Sequence, residues 1–495
     1  MKKIQALTER CFLWDDARID KLHTTAEKRQ FTPVRRENTL VLDKPWEGDG
    51  CDYHHTVYDK KKHLYRMYYL GMQMFHPDGT LYHTSDVRVC CLESRDAIHW
   101  KRPNLGIVCF NGSTDNNIVL ESSMLPELSG IDNFFVAEDT RPDPPVKGRF
   151  KAVMLYTKKC PDGSTKPILA SFTSDDGYHF ERFGTVTEEG RFDTLNTILW
   201  HEKTGQYLCY IRSFHDKDTG AEYDPSRGIS LNDYVRDIRV LRSVDFIHWT
   251  KPERLRLSSR EDFPLYTNCV SVYPGSSMLV GLPTRYNERH EWTDAFEVLC
   301  GREKRLERMK KDRRFGLALT DCLFMCSADG VNWTISDEAF LRPGPEQSGN
   351  WVYGSCYPSV GFIETPSSVK GEENELSFYA FDNHWMGDPT VLYRMTLRKD
   401  GFVSRHAGYA AKKVTTKPFL YEGGELHLNF STSARGYVKA VLTDIESGVS
   451  RSSCEFFGDS TDKPVSMGDL SAFTGKAVRL ELTLSDADVF AFEFR

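Results

Sequence analysis

Acidic side chains open or interrupt several apolar runs of this sequence, and that placement suits acid–base chemistry. Cleaving an acetal bond takes two carboxyl groups, one to deliver a proton and one to attack or to activate water. Glu47, Asp49 and Asp52 form the first group, in Trp46-Glu47-Gly48-Asp49-Gly50-Cys51-Asp52. Asp139 follows Val136-Ala137-Glu138. Asp193 and Asn196 open the strand pattern Phe192-Asp193-Thr194-Leu195-Asn196. An acid and an amide there are costly to bury unless the strand end is wet or the groups are paired. Arg212, ending Tyr207–Arg212, is the expected mate of Asp193. Asp321 interrupts the apolar run Leu317–Met325, where burial raises a carboxyl pKa and makes a proton donor, unless Arg285 pairs with it. Asp237, in Arg236-Asp237-Ile238-Arg239, is a lesser case.

Other residues suit the binding of hydroxyl groups. Asn196, Arg212, Asn268 and Arg285 offer fixed donors and acceptors. Trp351 and Trp385 offer flat faces, and His384 stands between Asn383 and Trp385. His54 and His55 point to opposite faces of one strand, so one at most faces a shared site. No converging set of metal ligands is found, and no cofactor is implied.

The elements that must position these groups announce themselves as a repeat. Ser94-Arg95-Asp96-Ala97-Ile98-His99-Trp100 returns as Ser174–Phe180, Ser243–Trp249 and Ser327–Trp333. A weaker fifth copy is Arg398–Ser404. The aspartates fall at 96, 176, 245, 329 and 400, so successive copies stand 80, 69, 84 and 71 residues apart. Ser and Asp side chains hold turn amides, and the aromatic residue opens the next strand. Each copy follows a β-rich run, such as Asp86–Leu92 or Ile238–Arg242. The turn therefore joins the last two strands of a four-stranded unit. This spacing fits a propeller blade with long loops, and five copies imply five blades. The expected organisation is all-β: an N-terminal segment 1–34, a five-bladed β-propeller over 35–410, and a β-sandwich over 411–495. Val478, Leu480, Leu482 and Leu484 alternate with polar residues in that last part, as half-buried antiparallel strands do. One stretch, about 292–314, is helical in pattern and inserted in blade four. Leu306 and Met309 are its apolar pair among many charges, so the sequence predicts a solvated helix. A cover over the site or a contact between copies of the chain is the alternative.

Net charge is −7 with both signs interspersed, which argues against nucleic acid as a partner. After Met1-Lys2-Lys3 the apolar run needed for a secretory leader is broken by Thr8, Glu9 and Arg10, and no run is long enough to span a membrane. The 13 Cys are odd in number and contain no CxxC pair. Reduced thiols in a cytoplasm are expected.

Further motifs recur along nearly the whole chain: Lys44-Pro45-Trp46-Glu47, Trp100–Gly106, Asn116-Asn117-Ile118-Val119, Phe192–Asn196, Tyr266-Thr267-Asn268, Gly281–Tyr286, Arg342-Pro343-Gly344 and Asp400–Val403. With them the sequence resembles the five-bladed propeller glycoside hydrolases, the group of invertase-like fructofuranosidases, arabinofuranosidases and mannoside phosphorylases. It is most similar to a glycosidase-like bacterial branch without a settled activity. The resemblance implies carboxylates at the propeller mouth, with Glu47 preferred in blade one, and Asp139, Asp193 and Asp321 beside it. It implies a small carbohydrate substrate, a β-fructoside or arabinoside foremost. The invertase-like Asn-Asp-Pro core is absent, and Arg141-Pro142-Asp143 replaces the Arg-Asp-Pro order. A phosphorylase using Arg212, Arg285 and His384 for phosphate is a second reading, and a sugar-binding propeller without turnover a third. The turn also resembles the sialidase Asp-box, but Gly330 follows Asp329 one residue too soon.

Overall fold

The computed structural model describes residues 4, 6–76, 80, 87–125, 128–160, 162–224 and 234–495. Met1–Lys3 and Asp86 lie outside the described residues. The chain divides into two compact units. One is Arg35–Thr365 with Ser377–Thr396; the other is Met1–Val34, Pro366–Leu376 and Leu397–Arg495.

The first unit is a five-bladed β-propeller. Blade one is built from Asp52–Asp59, Leu64–Gly71, Arg88–Ser94 and Ile118–Glu121, in that spatial order. Blade two runs Leu128–Glu138, Phe150–Lys159, Thr165–Ser174, Glu181–Thr187. Blade three runs Thr197–His201, Gln206–Asp216, Tyr234–Ser243, Glu253–Arg254. Blade four runs Ser271–Val272, Leu279–Gly281, Met325–Ser327, Asn332–Ile335, with Arg256–Leu257 parallel to its outer edge. Blade five takes Ile363–Thr365, Glu375–Asp382 and Thr390–Arg398, and its outermost strand is Val34–Leu42 from the other end of the chain. The ring is thus closed by main-chain pairing between distant segments. First strands of blades one to four lie against one another in sequence, and Thr56 N donates to Val360 O at 2.9 Å to bring in blade five.

The repeated turn does two jobs. Within each copy, Ser Oγ accepts the amide three residues on, and Asp Oδ1 accepts the next two amides. In the first copy these bonds are Ala97 N to Ser94 at 2.9 Å, and Ile98 N and His99 N to Asp96 at 2.9 and 2.8 Å. The residue after Asp has positive φ, at 56° in Ala97, 78° in Gly177, 65° in Phe246 and 80° in Gly330. At 177 a Cβ would lie 1.9 Å from Arg66 Nη1, so any other residue there must displace that guanidinium. Between blades, a tyrosine on the second strand of the preceding blade donates to that residue's carbonyl. Tyr68 bonds Gly177 O at 2.7 Å, Tyr210 bonds Gly330 O at 3.1 Å, and Tyr379 bonds Ala97 O. The turn aromatics meet the same tyrosines edge-on: Phe180 on Tyr68, Trp333 on Tyr210, Trp100 on Tyr379. Three of the four full copies therefore clasp their blade to its neighbour.

The second unit is one nine-stranded antiparallel sheet folded on itself as a sandwich. Its two long strands, Leu426–Asp444 and Ala477–Phe494, pair with a register shift between Thr432 and Tyr437. Leu428, Phe430, Ala440, Leu442, Leu480, Leu482 and Leu484 fill its core. Cys11–Phe12 and Glu27–Gln30 add strands to this sheet, so the N-terminal residues are part of it. Asp400, of the weak fifth turn, lies in this unit and holds Arg10 Nε at 2.8 Å.

The insertion in blade four carries α1 (Asp294–Val298), α2 (Arg302–Lys311) and α3 (Arg314–Leu317) at the end of a ribbon, Thr284–Glu288 with Ala318–Cys322. It departs from the solvated helix predicted: Arg305 and Arg308 are its buried side chains, while Leu306 and Met309 are half-buried. All 13 cysteines are free. No helix among the described residues is long and apolar enough to cross a membrane.

Candidate functional site

Three carboxylates, one from each of the first three blades, lie near enough for their charges to act on one another: Asp52, Asp132 and Asp193. Asp52 opens the first strand of blade one. The following residue, Tyr53, has φ 54°, and the pairing slips between Asp52 and His55. Asp132 repeats the arrangement in blade two, with Asn133 at φ 55° and a slip between Asp132 and Phe135. Such bulges re-aim a side chain that regular alternation would direct elsewhere. Asp193 stands ahead of the first strand of blade three.

Their environments differ. Asp193 is open to solvent, its side chain 70% exposed, with Arg212 Nη2 at 3.5 Å. Asp132 is half-buried. Burial, then the charge of Asp193, raises its pKa to about 7. Asp52 is buried; burial first, then Asp132 and Asp193, hold its pKa well above the usual carboxyl range. Its Oδ1 has no hydrogen-bond partner. Its Oδ2 faces His384 Nδ1 at 4.0 Å, and neither ring nitrogen of His384 is hydrogen-bonded.

Aromatic rings wall these acids. Tyr53, Tyr357, Tyr266 and Tyr286 stack in series with centroids 6.2, 5.7 and 6.0 Å apart. Tyr353 OH donates to Tyr266 OH at 2.9 Å. His384 stacks on Trp385 at 4.6 Å, and Phe315 of α3 meets Trp385 at 5.5 Å. The insertion is thus one wall of the site.

The other acids singled out from sequence have partners of their own. Glu47 is 0% exposed: Arg102 gives it two bonds at 2.8 Å, Tyr69 OH one at 2.5 Å and Lys44 N one at 2.9 Å. Asp49 accepts Met74 N and Phe75 N at 2.5 and 3.1 Å. Asp139 holds Lys151 at 3.1 Å and Tyr207 OH at 2.8 Å. Asp321 and Arg285 are register partners joined at 2.9 and 2.6 Å. Asp237 is held by His215 and Arg239 at 2.9 and 3.0 Å. Asn268 accepts Thr197 Oγ1 at 2.7 Å and donates to Leu195 O at 3.1 Å, bracing blade four on blade three. Asn196 donates to Phe192 O and Thr194 O, but its Oδ1 is buried and unbonded. Trp351 donates to Gly344 O at 2.8 Å. Both rings of His54 and His55 are buried. Val136 N donates to His55 Nε2, while His54 packs between Tyr69 and Phe381.

Of the sequence candidates, Asp193, Arg212, His384 and Trp385 come together around Asp52. The reading passed over Asp132, Tyr353, Tyr357, Arg236 and Arg308. The signal for Asp132 was available: Asp132-Asn133-Phe134-Phe135 echoes Asp52-Tyr53-His54-His55, an acid two residues before paired rings at the opening of a blade. Among the described residues no group of three or more His, Cys, Asp or Glu is placed to hold a metal ion.

No family model and no curated protein sequence matches the chain. Among solved structures, it is similar to an N-acetylgalactosamine deacetylase from F. plautii, at 13% identity and TM-score 0.44, covering 76% of this chain and 95% of that one. A glycosyl hydrolase from Bacteroides ovatus is similar at 14% identity and TM-score 0.41, covering 76% and 96%. A sucrose-6-phosphate hydrolase from Lactobacillus gasseri is similar at 9% identity and TM-score 0.39, covering 90% of each chain.

Proposed function

We propose that this protein cleaves a glycosidic bond in a small glycoside or short oligosaccharide, with Asp52, Asp132 and Asp193 as its reacting carboxylates. The observation that carries the reading is the meeting of three acids in unlike environments. Burial, then the charge of Asp193, raises the pKa of Asp132 to about 7, so Asp132 has a proton available near neutral pH, while Asp193 stands open to solvent. Carboxyl groups in unlike environments are what acid–base cleavage of a glycoside requires. Trp385 supplies a face for a sugar ring, and the unbonded polar atoms of Asp52, His384 and Asn196 await hydroxyl groups.

Glu47, Asp139 and Asp321 are structural in this reading, because their oxygens are taken by fixed cations. A panel of aryl glycosides and disaccharides, furanosides and pyranosides, tests it. Release of reducing sugar or of the aryl group from at least one member is expected. Silence across the panel, with no sugar shifting the melting temperature, contradicts it.

A further inference from the structure

Asp193 is held loosely by its own side chain. The carboxylate stands open to solvent, and Arg212 Nη2 lies 3.5 Å away, too far for a tight pair. Its place is therefore set by the main chain around it. Phe192 O, on the peptide that enters Asp193, accepts Thr194 N at 2.7 Å, Asn196 Nδ2 at 2.9 Å and Asn133 Nδ2 at 3.3 Å. Asn196 Nδ2 also reaches Thr194 O at 2.9 Å, so one amide spans the turn that carries the acid. Asn133 comes from blade two and directly follows Asp132, whose Oδ1 accepts the Asn133 N–H at 2.8 Å. One residue and one hydrogen bond thus lead from Asp132 to the peptide of Asp193.

The same join recurs where blade five meets blade one. Thr390 Oγ1 of blade five donates at 3.3 Å to Cys51 O, the carbonyl that enters Asp52. In both places a side chain of the preceding blade holds the peptide ahead of an acid. Asn133 and Asn196 are fully buried, and each has an amide oxygen with no hydrogen-bond partner among the described residues. An orphaned buried oxygen carries a desolvation cost that a smaller side chain would avoid. The φ of 55° at Asn133 suits asparagine, but it suits glycine as well. What glycine lacks is the bond to Phe192 O.

Resting on the reading of Asp132 and Asp193 as reacting carboxylates, we propose that Asn133 is a positioning residue, which fixes the separation of these two acids by holding Phe192 O together with the Nδ2 of Asn196. The separation of two carboxyl groups decides whether a water fits between them or one attacks directly.

A carbon-13 titration of the Asp132 carboxyl in the full chain reads this link without any substrate. Burial, then the charge of Asp193, lifts that group to about 7. Asn133→Gly keeps the positive φ and removes the amide. It is expected to lower the Asp132 pKa, because a freer Asp193 acts from farther off. In an Asp193→Asn background the same substitution is expected to leave the Asp132 value unmoved. A fall of equal size in both backgrounds would mean that only burial had changed, and it overturns the proposal, as does an unmoved pKa in Asn133→Gly alone. Asn196→Ala, which leaves residue 133 in place, takes over with the same outcomes if the glycine variant melts early. On a glycoside that the wild type cleaves, Asn133→Gly is expected to lose about tenfold to a hundredfold in kcat, with KM within about twofold. Wild-type kcat in the folded variant also overturns the proposal. If no glycoside is cleaved, the glycosidase reading fails while the titration still decides the link.

Discussion

Asp52 Oδ2 and His384 Nδ1 face each other at 4.0 Å with both side chains buried, and each is pushed toward its uncharged form. Burial, then Asp132 and Asp193, pushes the Asp52 pKa up. Burial, then Arg308 and His54, pushes the His384 pKa well down. Both shifts favour the uncharged pair, in which the imidazole keeps a lone pair for a ligand. In a nitrogen-15 titration, the His384 ring is expected to remain neutral from pH 8 to pH 5. An imidazolium signal for His384 appearing near pH 6.5, where an unperturbed histidine titrates, would refute this.

Asp132 makes stability depend on pH. Its folded pKa, about 7, lies above the unfolded carboxyl value of 3.8. The folded state thus binds the proton more tightly, and that contribution is present below about pH 4 and lost as pH rises through 7. Asp132→Asn removes the dependence. The variant should melt higher than wild type at pH 8, with the gap closing by pH 4. An equal gap at both pH values would exclude the shifted group.

The tyrosine clasps predict a stability effect separate from chemistry. Tyr210→Phe removes one of the two donors to the buried Gly330 carbonyl, leaving Trp333 Nε1 at 3.1 Å. A loss of about 1 kcal/mol in unfolding free energy is expected, with turnover unchanged. Tyr68→Phe should do the same through Gly177. Unaltered denaturation midpoints in both would show that the clasps are not stabilising.

Glu47→Gln should act on folding and not on turnover. It leaves Arg102 beside a fully buried amide and replaces one of the two accepting oxygens, each at 2.8 Å, by a donor. Loss of one partner of a buried ion pair costs about 3–5 kcal/mol, and Arg102 keeps some contact with water, so about 2–3 kcal/mol is expected. Asp321→Asn should cost less, because its pair with Arg285 is partly solvated. A well-folded Glu47→Gln protein without activity would return Glu47 to the reaction.

The fold was legible because its signal is local. Each Ser-x-Asp turn closes its own hydrogen bonds within six residues, so four full copies and the weaker one at Arg398–Ser404 give five blades without any long-range contact. The alternation from Val478 to Leu484 likewise stated which face is buried. The closing of blade five by Val34–Leu42 left no such mark, since pairing partners 350 residues apart write nothing into either segment. The site was legible in part. Arg212 beside Asp193 followed from strand ends that had to be paired. Asp132 was missed because its bulge at Asn133 breaks the alternation that would have flagged an inward acid. Glu47 and Asp139 read as reactive because the cations that occupy them come from elsewhere in the chain, Arg102 from a loop and Lys151 from a neighbouring strand. In α2 the apolar spacing pointed to Leu306 and Met309, while the buried face is made by Arg305 and Arg308, whose aliphatic stems and carbonyl partners the helical pattern does not weigh.

Cleavage by Asp52, Asp132 and Asp193 is measured through kcat/KM of Asp52→Asn, Asp132→Asn and Asp193→Asn on the best glycoside of the panel, with sugar binding measured alongside. Each variant is expected to lose about a hundredfold to ten-thousandfold in turnover while still binding the sugar. Wild-type turnover in any two of the three, with the fold intact, would contradict the account.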